Sequence, residues 1–220
     1  MKRSGETLPA ETSCGVDEAG RGPVIGPLVV SIVCGETSKF RKIGVKDSKT
    51  LSRTSRERLY NDIVKQSAFY RIKEITAAEI NSLMIHKNLN VIEEDAYSEL
   101  IGSACADCQI YVDSFDVDPE RLTIKLSTMT GRNVLCRHKA DSIYPSVSAA
   151  SILSKVTRDN RIMELEKEYG PIGSGYPSDP YTVDFLIRCR DEGTRIDEIA
   201  RTHWKTYRNI FGDGKTSRLF

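Results

Sequence analysis

The chain has 220 residues, of which 39% are hydrophobic and 29% are charged, and its formal net charge at pH 7 is +1. This length suffices for one buried core, or for one core with an appendage. No apolar tract is long enough for a transmembrane helix, and residues 4–13 lack the apolar block of a signal peptide, so we expect a cytoplasmic or nuclear protein.

The first informative segment is Gly15-Val16-Asp17-Glu18-Ala19-Gly20-Arg21-Gly22-Pro23, which begins directly after a short apolar run. Two adjacent carboxylates suit a cation, and glycines on both sides of Arg21 let backbone N–H groups approach an anion. Adjacent acids are also common on solvated surfaces, so the pair alone does not define a site. Neighbouring side chains of a strand point to opposite faces, so Asp17 and Glu18 can share one site only if the chain bends at Ala19-Gly20.

The hydrophobic pattern predicts five strands that alternate with helices, which indicates an α/β fold. We expect the strands at Cys14 to Asp17, Gly26 to Gly35, Phe69 to Ile75, Gln109 to Val112 and Asn133 to Arg137. Capping boxes predict helix starts at Thr54 and Thr76. Further helices are expected over residues 88–104, 147–169, 181–190 and 196–210.

The main interruption of this pattern is a segment rich in glycine and proline, residues 170–180, which cannot form regular structure. We therefore predict a main domain over residues 1–170 and a helical C-terminal extension over residues 171–220 that packs on it. The extension contains the only tryptophan, Trp204.

The cysteines lie mostly inside apolar runs, where a thiol behaves as a small buried hydrophobe. We expect all of them to be reduced. They are Cys14, Cys34, Cys105, Cys108, Cys136 and Cys189. Cys105-Ala106-Asp107-Cys108 is a single CxxC without a partner pair, so neither a zinc site nor redox chemistry is predicted there.

The small net charge conceals an asymmetry along the chain. Residues 91–120 contain nine acids and no Lys or Arg, whereas residues 201–220 contain five bases and one acid. Other bases cluster at Arg53, Arg56, Arg58 and Lys65, and at Arg137, Lys139, Lys155, Arg158 and Arg161. Each cluster alone fits a solvated helix face, but several together beside an acidic site suggest a polyanion bound by its backbone.

Two further acids extend the acidic pair. Asp113 ends a short apolar strand, and Asp141 lies between a strand and a helix. Taken singly, Asp113 fits a strand-end turn and Asp141 fits an N-cap. Together with Asp17 and Glu18 they would repel one another unless cations neutralise them, which favours divalent metal.

Five segments together resemble ribonuclease HII, the type 2 ribonuclease H. They are Val16 to Pro23, Lys46 to Leu51, Tyr111 to Asp113, His138 to Asp159 and Gly175 to Pro180. The resemblance runs from about residue 13 to about residue 208. The Tyr-Pro-Ser-Asp sequence after Gly175, together with the chain length, is similar to the single-chain archaeal form.

The resemblance implies a ribonuclease H-like fold, which is a central mixed β-sheet flanked by helices, with a helical C-terminal extension. It implies an endonuclease that cuts RNA in RNA/DNA hybrids or beside a single ribonucleotide in duplex DNA, leaving 5′-phosphate and 3′-hydroxyl ends. It further implies that two Mg²⁺ or Mn²⁺ ions are held by Asp17, Glu18, Asp113 and Asp141. A role in DNA replication and ribonucleotide removal follows from the same resemblance.

The resemblance also implies a set of substrate contacts. The backbone of Gly20, Arg21 and Gly22 would read the 2′-hydroxyl that DNA lacks, and Tyr176 would stack on the following sugar. Phosphate contacts would come from Lys46, Ser48 and Lys49. From the residues alone, Tyr176 equally fits an aromatic that fills the core, and the lysine segment equally fits a surface turn.

Two other functions remain open. A different nuclease or resolvase on the same fold would use similar acids, and a non-catalytic binding subunit would keep the basic clusters but lose an acid. We expect a monomer whose partners are RNA/DNA hybrid and ribonucleotide-containing duplex DNA. Residues 215–220 are only weakly similar to a sliding-clamp peptide, because they lack its glutamine and aromatic pair.

Overall fold

A computed structural model describes residues 12–45, 52–104 and 107–212. Its strands are β1 (Thr12–Ala19), β2 (Leu28–Glu36), β3 (Phe69–Ile75), β4 (Gln109–Asp113) and β5 (Val134–Arg137). Its helices are α1 (Thr37–Lys42), α2 (Arg53–Gln66), α3 (Ala77–Leu83), α4 (Leu89–Gly102), α5 (Pro119–Thr130), α6 (Pro145–Tyr169), α7 (Pro180–Glu192) and α8 (Lys205–Phe211). A one-turn 3₁₀ helix, Ala140–Ser142, lies between β5 and α6.

The strands form one mixed sheet in the order β3-β2-β1-β4-β5. β1 pairs antiparallel with β2 and parallel with β4, and β4 pairs parallel with β5. All of β2 except Glu36 is buried, as expected of a strand covered on both faces. The predicted α/β class and all five predicted strands are confirmed. Because β1, β4 and β5 run in the same direction, residues at their carboxyl ends lie at one edge of the sheet.

The helix predictions are confirmed in most places, with two corrections. The Thr76 capping box is present, but α2 is capped by Ser52 rather than Thr54: the Ser52 side chain accepts the Ser55 N–H. The predicted helix over residues 196–210 begins only at Lys205. Before Lys205 the chain is held by tertiary hydrogen bonds, which include a β-bridge between Ala200 and Ile25.

The described chain divides into two compact units. Among the described residues, unit 1 comprises residues 12–19, 29–45, 52–73, 93–104 and 107–156, and unit 2 comprises residues 20–28, 74–92 and 157–212. A core of unit 1 includes Val33, Phe40, Ile63 and Leu153, and a core of unit 2 includes Ile25, Ile172, Phe185 and Leu186. The division of the sequence at residue 170 stays a prediction.

The expectation of reduced thiols is wrong for one pair of cysteines. Cys14 and Cys34 are bonded to each other as a disulfide. The cause is the strand register, which places these two residues directly opposite each other on β1 and β2. Cys136 and Cys189 are buried free thiols, as predicted; Cys108 is also buried, and Cys105 lies outside the described residues.

No helix among the described residues has both the length and the apolar composition needed to cross a membrane.

Candidate functional site

Three of the predicted acids converge at the carboxyl edge of the sheet in unit 1. Asp17 comes from β1, Asp113 ends β4, and Asp141 lies in the 3₁₀ helix that follows β5. Each offers a carboxylate oxygen, and these oxygens all lie within 4.8 Å of one another. Asp17 and Asp141 are buried, with 6% and 8% of their surface exposed. Such a cluster suits a divalent cation, since hard cations prefer carboxylate oxygens.

The electrostatics of Asp17 support this interpretation. Burial raises its pKa well above the ordinary value, and the charges of Glu18 and Asp113 raise the pKa further. A side-chain hydrogen bond from Ser151 and the positive charge of Lys155 oppose the shift without cancelling it. A bound divalent cation would reverse the balance by favouring the ionised form of every carboxylate around it. The residues present therefore fit a metal ion.

Helix α6 fixes the position of Asp17. The Ser154 hydroxyl donates to the Asp17 carbonyl oxygen at 3.0 Å. At Gly15, two residues earlier, a Cβ atom would lie 2.1 Å from backbone atoms of Ser146 and Val147, so only glycine lets the first turn of α6 lie against β1. The strand and the helix therefore meet backbone to backbone beside the acidic cluster.

A hydrogen bond from a backbone N–H connects Asp113 to the turn that contains Asp141. One Asp113 oxygen accepts the N–H of Ala140 at 3.2 Å, and this contact ties the end of β4 to the 3₁₀ helix. Lys139 precedes that helix in the left-handed conformation, with a φ of 57°. Asp141 therefore lies inside a tight turn before α6 rather than capping α6, which begins at Pro145.

Glu18 has different surroundings from the three aspartates. The β1–β2 ladder stays regular through Ala19, so Asp17 and Glu18 leave opposite faces of the strand. The Glu18 carboxylate accepts a hydrogen bond from the hydroxyl of Tyr97 on α4. Burial and the charge of Glu93 raise the pKa of Glu18 to about 7. The bend predicted at Ala19-Gly20 comes only at Gly20, whose φ is 89°.

Unit 2 contains the Gly20-Arg21-Gly22 loop, which follows Glu18 after one residue. A Cβ atom at Gly20 would lie 2.5 Å from the Pro27 carbonyl oxygen, so both space and φ require glycine there. The Arg21 guanidinium donates to the Asn90 side chain at 2.7 Å. These contacts give the loop a defined conformation.

Tyr176 lies beside this loop within unit 2. Its ring is 3.6 Å from the position that a Gly22 Cβ would occupy, and the Arg158 guanidinium lies 5.2 Å from the ring centroid. Tyr176 is 40% exposed, so it does not fill the core. Because Arg158 lies over the Tyr176 ring and the ring is partly exposed to solvent, Tyr176 can stack on a ligand.

Several predicted contacts lie elsewhere or outside the described residues. The predicted phosphate contacts Lys46, Ser48 and Lys49 fall in the undescribed segment. Arg158 and Arg201 belong to the basic clusters of the sequence but do not lie on a solvated face, because they are only 5% and 0% exposed.

The residues that sequence reasoning missed are those that hold the acids and the loop. They are Ser151, Ser154, Tyr97, Glu93, Asn90, Arg158, Arg201 and Trp204. Ser151, Ser154 and Arg158 lie in the segment 138–159 that carried the family resemblance, which was the one available signal. The others come from segments distant along the chain, where no local pattern marks them.

The ribonuclease HII family model matches residues 14–207. The ribonuclease HII of Thermoplasma volcanium is 49% identical over 92% of this chain and 94% of that protein. The ribonuclease HII of Picrophilus torridus is 46% identical over 90% of this chain and 96% of that protein.

Solved structures confirm the expected ribonuclease H-like fold. The ribonuclease H2 of Pyrococcus horikoshii OT3 aligns with a TM-score of 0.85 at 40% identity, covering 91% of this chain and 97% of that chain. The structure of the PCNA:RNase HII complex from Archaeoglobus fulgidus aligns with a TM-score of 0.84 at 41% identity, covering 88% of this chain and 95% of that chain. A Bst-RNase HIII in complex with Mn²⁺, at 21% identity and a TM-score of 0.77, shares the fold.

Proposed function

Because the chain belongs to the ribonuclease HII family, whose members are metal-dependent endoribonucleases acting on RNA/DNA hybrids, we propose that it also incises duplex DNA on the 5′ side of a single ribonucleotide. The products would carry 5′-phosphate and 3′-hydroxyl ends. The observation that carries the proposal is the convergence of three aspartate carboxylates within 4.8 Å at one edge of the sheet.

The acids have a clear role in this proposal. Asp17, Asp113 and Asp141 would hold two divalent ions, either Mg²⁺ or Mn²⁺, and Glu18, the fourth predicted ligand, would act on them from the opposite face of β1 through the charge that raises the pKa of Asp17. When bound, such ions activate water for in-line attack on the phosphodiester and stabilise the leaving 3′ oxygen. Ser154 and the first turn of α6 keep Asp17 in place, and Tyr97 orients Glu18.

Recognition of the ribonucleotide would come from unit 2. Backbone N–H groups of the Gly20-Arg21-Gly22 loop are suited to the 2′-hydroxyl, and the exposed face of Tyr176 is suited to the next sugar. The lysines of segment 46–49 would contact backbone phosphates. A role in replication and ribonucleotide removal, a cytoplasmic location and a monomeric state belong to the same proposal.

The test is incubation of the protein with a duplex that contains one ribonucleotide, in Mg²⁺ or Mn²⁺, followed by mapping of the cut. We expect incision 5′ of the ribonucleotide, and we expect Asp17→Asn and Asp113→Asn to lose nearly all of the rate while still binding the duplex. Either variant retaining more than about a tenth of the wild-type rate would contradict the proposed roles. Cleavage of all-DNA junctions would instead indicate a resolvase.

A second proposal concerns a sliding clamp. The Archaeoglobus fulgidus relative was solved in a complex with PCNA, which favours clamp binding by this chain too. Residues 215–220 are the candidate contact, although they lack the glutamine and the aromatic pair of a typical clamp peptide. Gel filtration with a sliding clamp, using the full chain and a chain truncated after residue 214, tests this; we expect co-elution of the full chain only, and equal behaviour of the two would contradict it.

A further inference from the structure

Arg201 is the largest fully buried side chain among the described residues, with 0% of its surface exposed. Burying a guanidinium is costly unless its donors are satisfied. Its donors reach three backbone carbonyls of one short segment of unit 2. The guanidinium donates to Gly20 at 2.6 Å, to Arg21 at 3.0 Å and to Gly26 at 3.0 Å.

Trp204 completes this arrangement. Its indole N–H donates to the Gly22 carbonyl oxygen at 3.0 Å. The Arg201 guanidinium lies 4.9 Å from the centroid of the Trp204 ring, which holds the two side chains against each other. All three carbonyls of the Gly20-Arg21-Gly22 loop are therefore bonded to one pair of side chains.

The orientation of the loop follows from peptide geometry. No described peptide bond is cis, and in a planar trans peptide the C=O and N–H groups point in opposite directions. The Gly20 carbonyl points to Arg201, so the Arg21 N–H of the same peptide unit points away from Arg201. The Arg21 carbonyl also points to Arg201, so the Gly22 N–H, which belongs to the same peptide unit, points away from Arg201 as well. The next residue, Pro23, has no N–H, so the loop has a carbonyl side and an opposite side with two donors.

Arg201 is itself anchored to the same part of the chain. Its N–H donates to the Val24 carbonyl oxygen at 2.8 Å, and the adjacent Ala200 bridges to Ile25. Asn81 accepts the Thr202 N–H at 2.9 Å and donates to the Ala200 carbonyl oxygen at 2.8 Å. This explains why residues before Lys205 are not helical: their backbone groups are used to fix Arg201.

We propose that Arg201 and Trp204 are positioning residues for ribonucleotide recognition, which hold the carbonyl side of the loop so that the Arg21 and Gly22 N–H groups are presented to the 2′-hydroxyl. A loop with two glycines would otherwise sample many conformations, and fixing it in advance removes that cost from binding. The planar fork of arginine reaches several carbonyls at once, which a lysine ammonium cannot reproduce. The inference rests on the proposed function, in which this loop reads the sugar.

The experiment compares affinity for a DNA duplex with one ribonucleotide and for the same all-DNA duplex, by fluorescence anisotropy. An Asp113→Asn background prevents cleavage. Trp204→Phe removes one donor but keeps the ring, and we expect it to reduce the affinity ratio roughly threefold, in line with one hydrogen bond. Arg201→Lys replaces the planar guanidinium, which bonds three carbonyls, by an ammonium group, and we expect it to reduce the affinity ratio roughly tenfold.

Tyr207→Phe is the matched control. It also removes one hydrogen bond from an aromatic side chain, and that 2.7 Å bond goes to Asp197 rather than to the loop. We expect it to keep the ratio of the parent. With Asp113 restored, Trp204→Phe should bind Mn²⁺ with wild-type affinity in calorimetry, because its effect is confined to the loop.

The outcomes separate the inference from the proposed function. A folded Trp204→Phe protein with the parent ratio would overturn the positioning role, even if Arg201→Lys fails to fold. An Asp113→Asn parent that binds both duplexes equally, together with a wild-type protein that does not incise at a ribonucleotide, would overturn the proposed function instead.

Discussion

Glu18 leads to a prediction about how pH controls the stability of the metal-free protein. Its pKa is raised from 4.5 to about 7, first by burial and then by the charge of Glu93. A carboxyl group with a raised pKa binds its proton more tightly in the folded chain than in the unfolded chain. Its contribution to stability is therefore fully present below about pH 4.5 and is lost as the pH rises through 7. The whole effect corresponds to about 3 kcal/mol.

Glu18→Gln isolates this contribution, because glutamine keeps an acceptor for the Tyr97 hydroxyl but does not ionise. Urea denaturation in EDTA at about pH 5 and about pH 8 measures the free energy of unfolding of both proteins. We expect the wild-type value to fall between these pH values by about 2 to 3 kcal/mol more than the value of the variant. Asp17 titrates in both proteins, and because the charge of Glu18 raises the pKa of Asp17, the difference between the two proteins includes this coupling as well as the titration of Glu18 itself. Equal falls would refute the reasoning.

Metal provides an independent check of the same groups. Carboxylate ligands must lose their protons to bind a cation, so Mn²⁺ should raise the melting temperature of the wild type more at about pH 8 than at about pH 5. A stabilisation that is the same at both pH values would show that the acids are already ionised without metal. Such a result would contradict the raised pKa values of Asp17 and Glu18.

Three further predictions concern the packing at Gly15, the exposed ring of Tyr176 and the disulfide. Gly15→Ala should lower the free energy of unfolding by about 3 kcal/mol in urea denaturation, because its Cβ meets the α6 backbone, whereas Gly102→Ala, with no atom within 4 Å, should not destabilise. Tyr176→Ala should lower kcat/KM on a single-ribonucleotide duplex roughly tenfold without changing the melting temperature, and Tyr176→Phe should retain most of it; equal loss in both would exclude stacking. A digest without reductant should yield Cys14 and Cys34 as one linked peptide pair in mass spectrometry, and two separate unlinked peptides would contradict the disulfide.

Much of the fold could be predicted because its signals are local. β3 was predicted with the observed bounds, Phe69 to Ile75, since the helix-capping residues Ser67 and Thr76 lie close to its two ends. The Thr76 cap was equally local, because its partner Glu79 is three residues away. The predicted start of α2 at Thr54 was wrong, since Ser52 and Thr54 are both good capping residues. The structure shows that Ser52 is the one that accepts the Ser55 N–H.

The rest depends on which distant segments meet, and composition does not contain that information. Arg201 resembles any other base of a positively charged C-terminal region until its three carbonyl partners, 175 to 181 residues away, are known. The disulfide had the same origin, because Cys14 and Cys34 are opposite each other only in one strand register. The helical period of residues 196–204 was real in the sequence, but tertiary hydrogen bonds to Val24 and Asn81 outweighed it.

The adjacent acids Asp17 and Glu18 show why a single strand can serve two environments. Strand alternation sends Asp17 towards α6 and the aspartate cluster, and sends Glu18 towards Tyr97 on α4. The two carboxyl groups nevertheless remain close enough for the charge of Glu18 to raise the pKa of Asp17. A cation bound by the aspartates would therefore also change the electrostatic potential at Glu18, so protonation of Glu18 and binding of the cation are linked. A regular strand with two consecutive acids achieves this coupling without the bend that the sequence alone suggested.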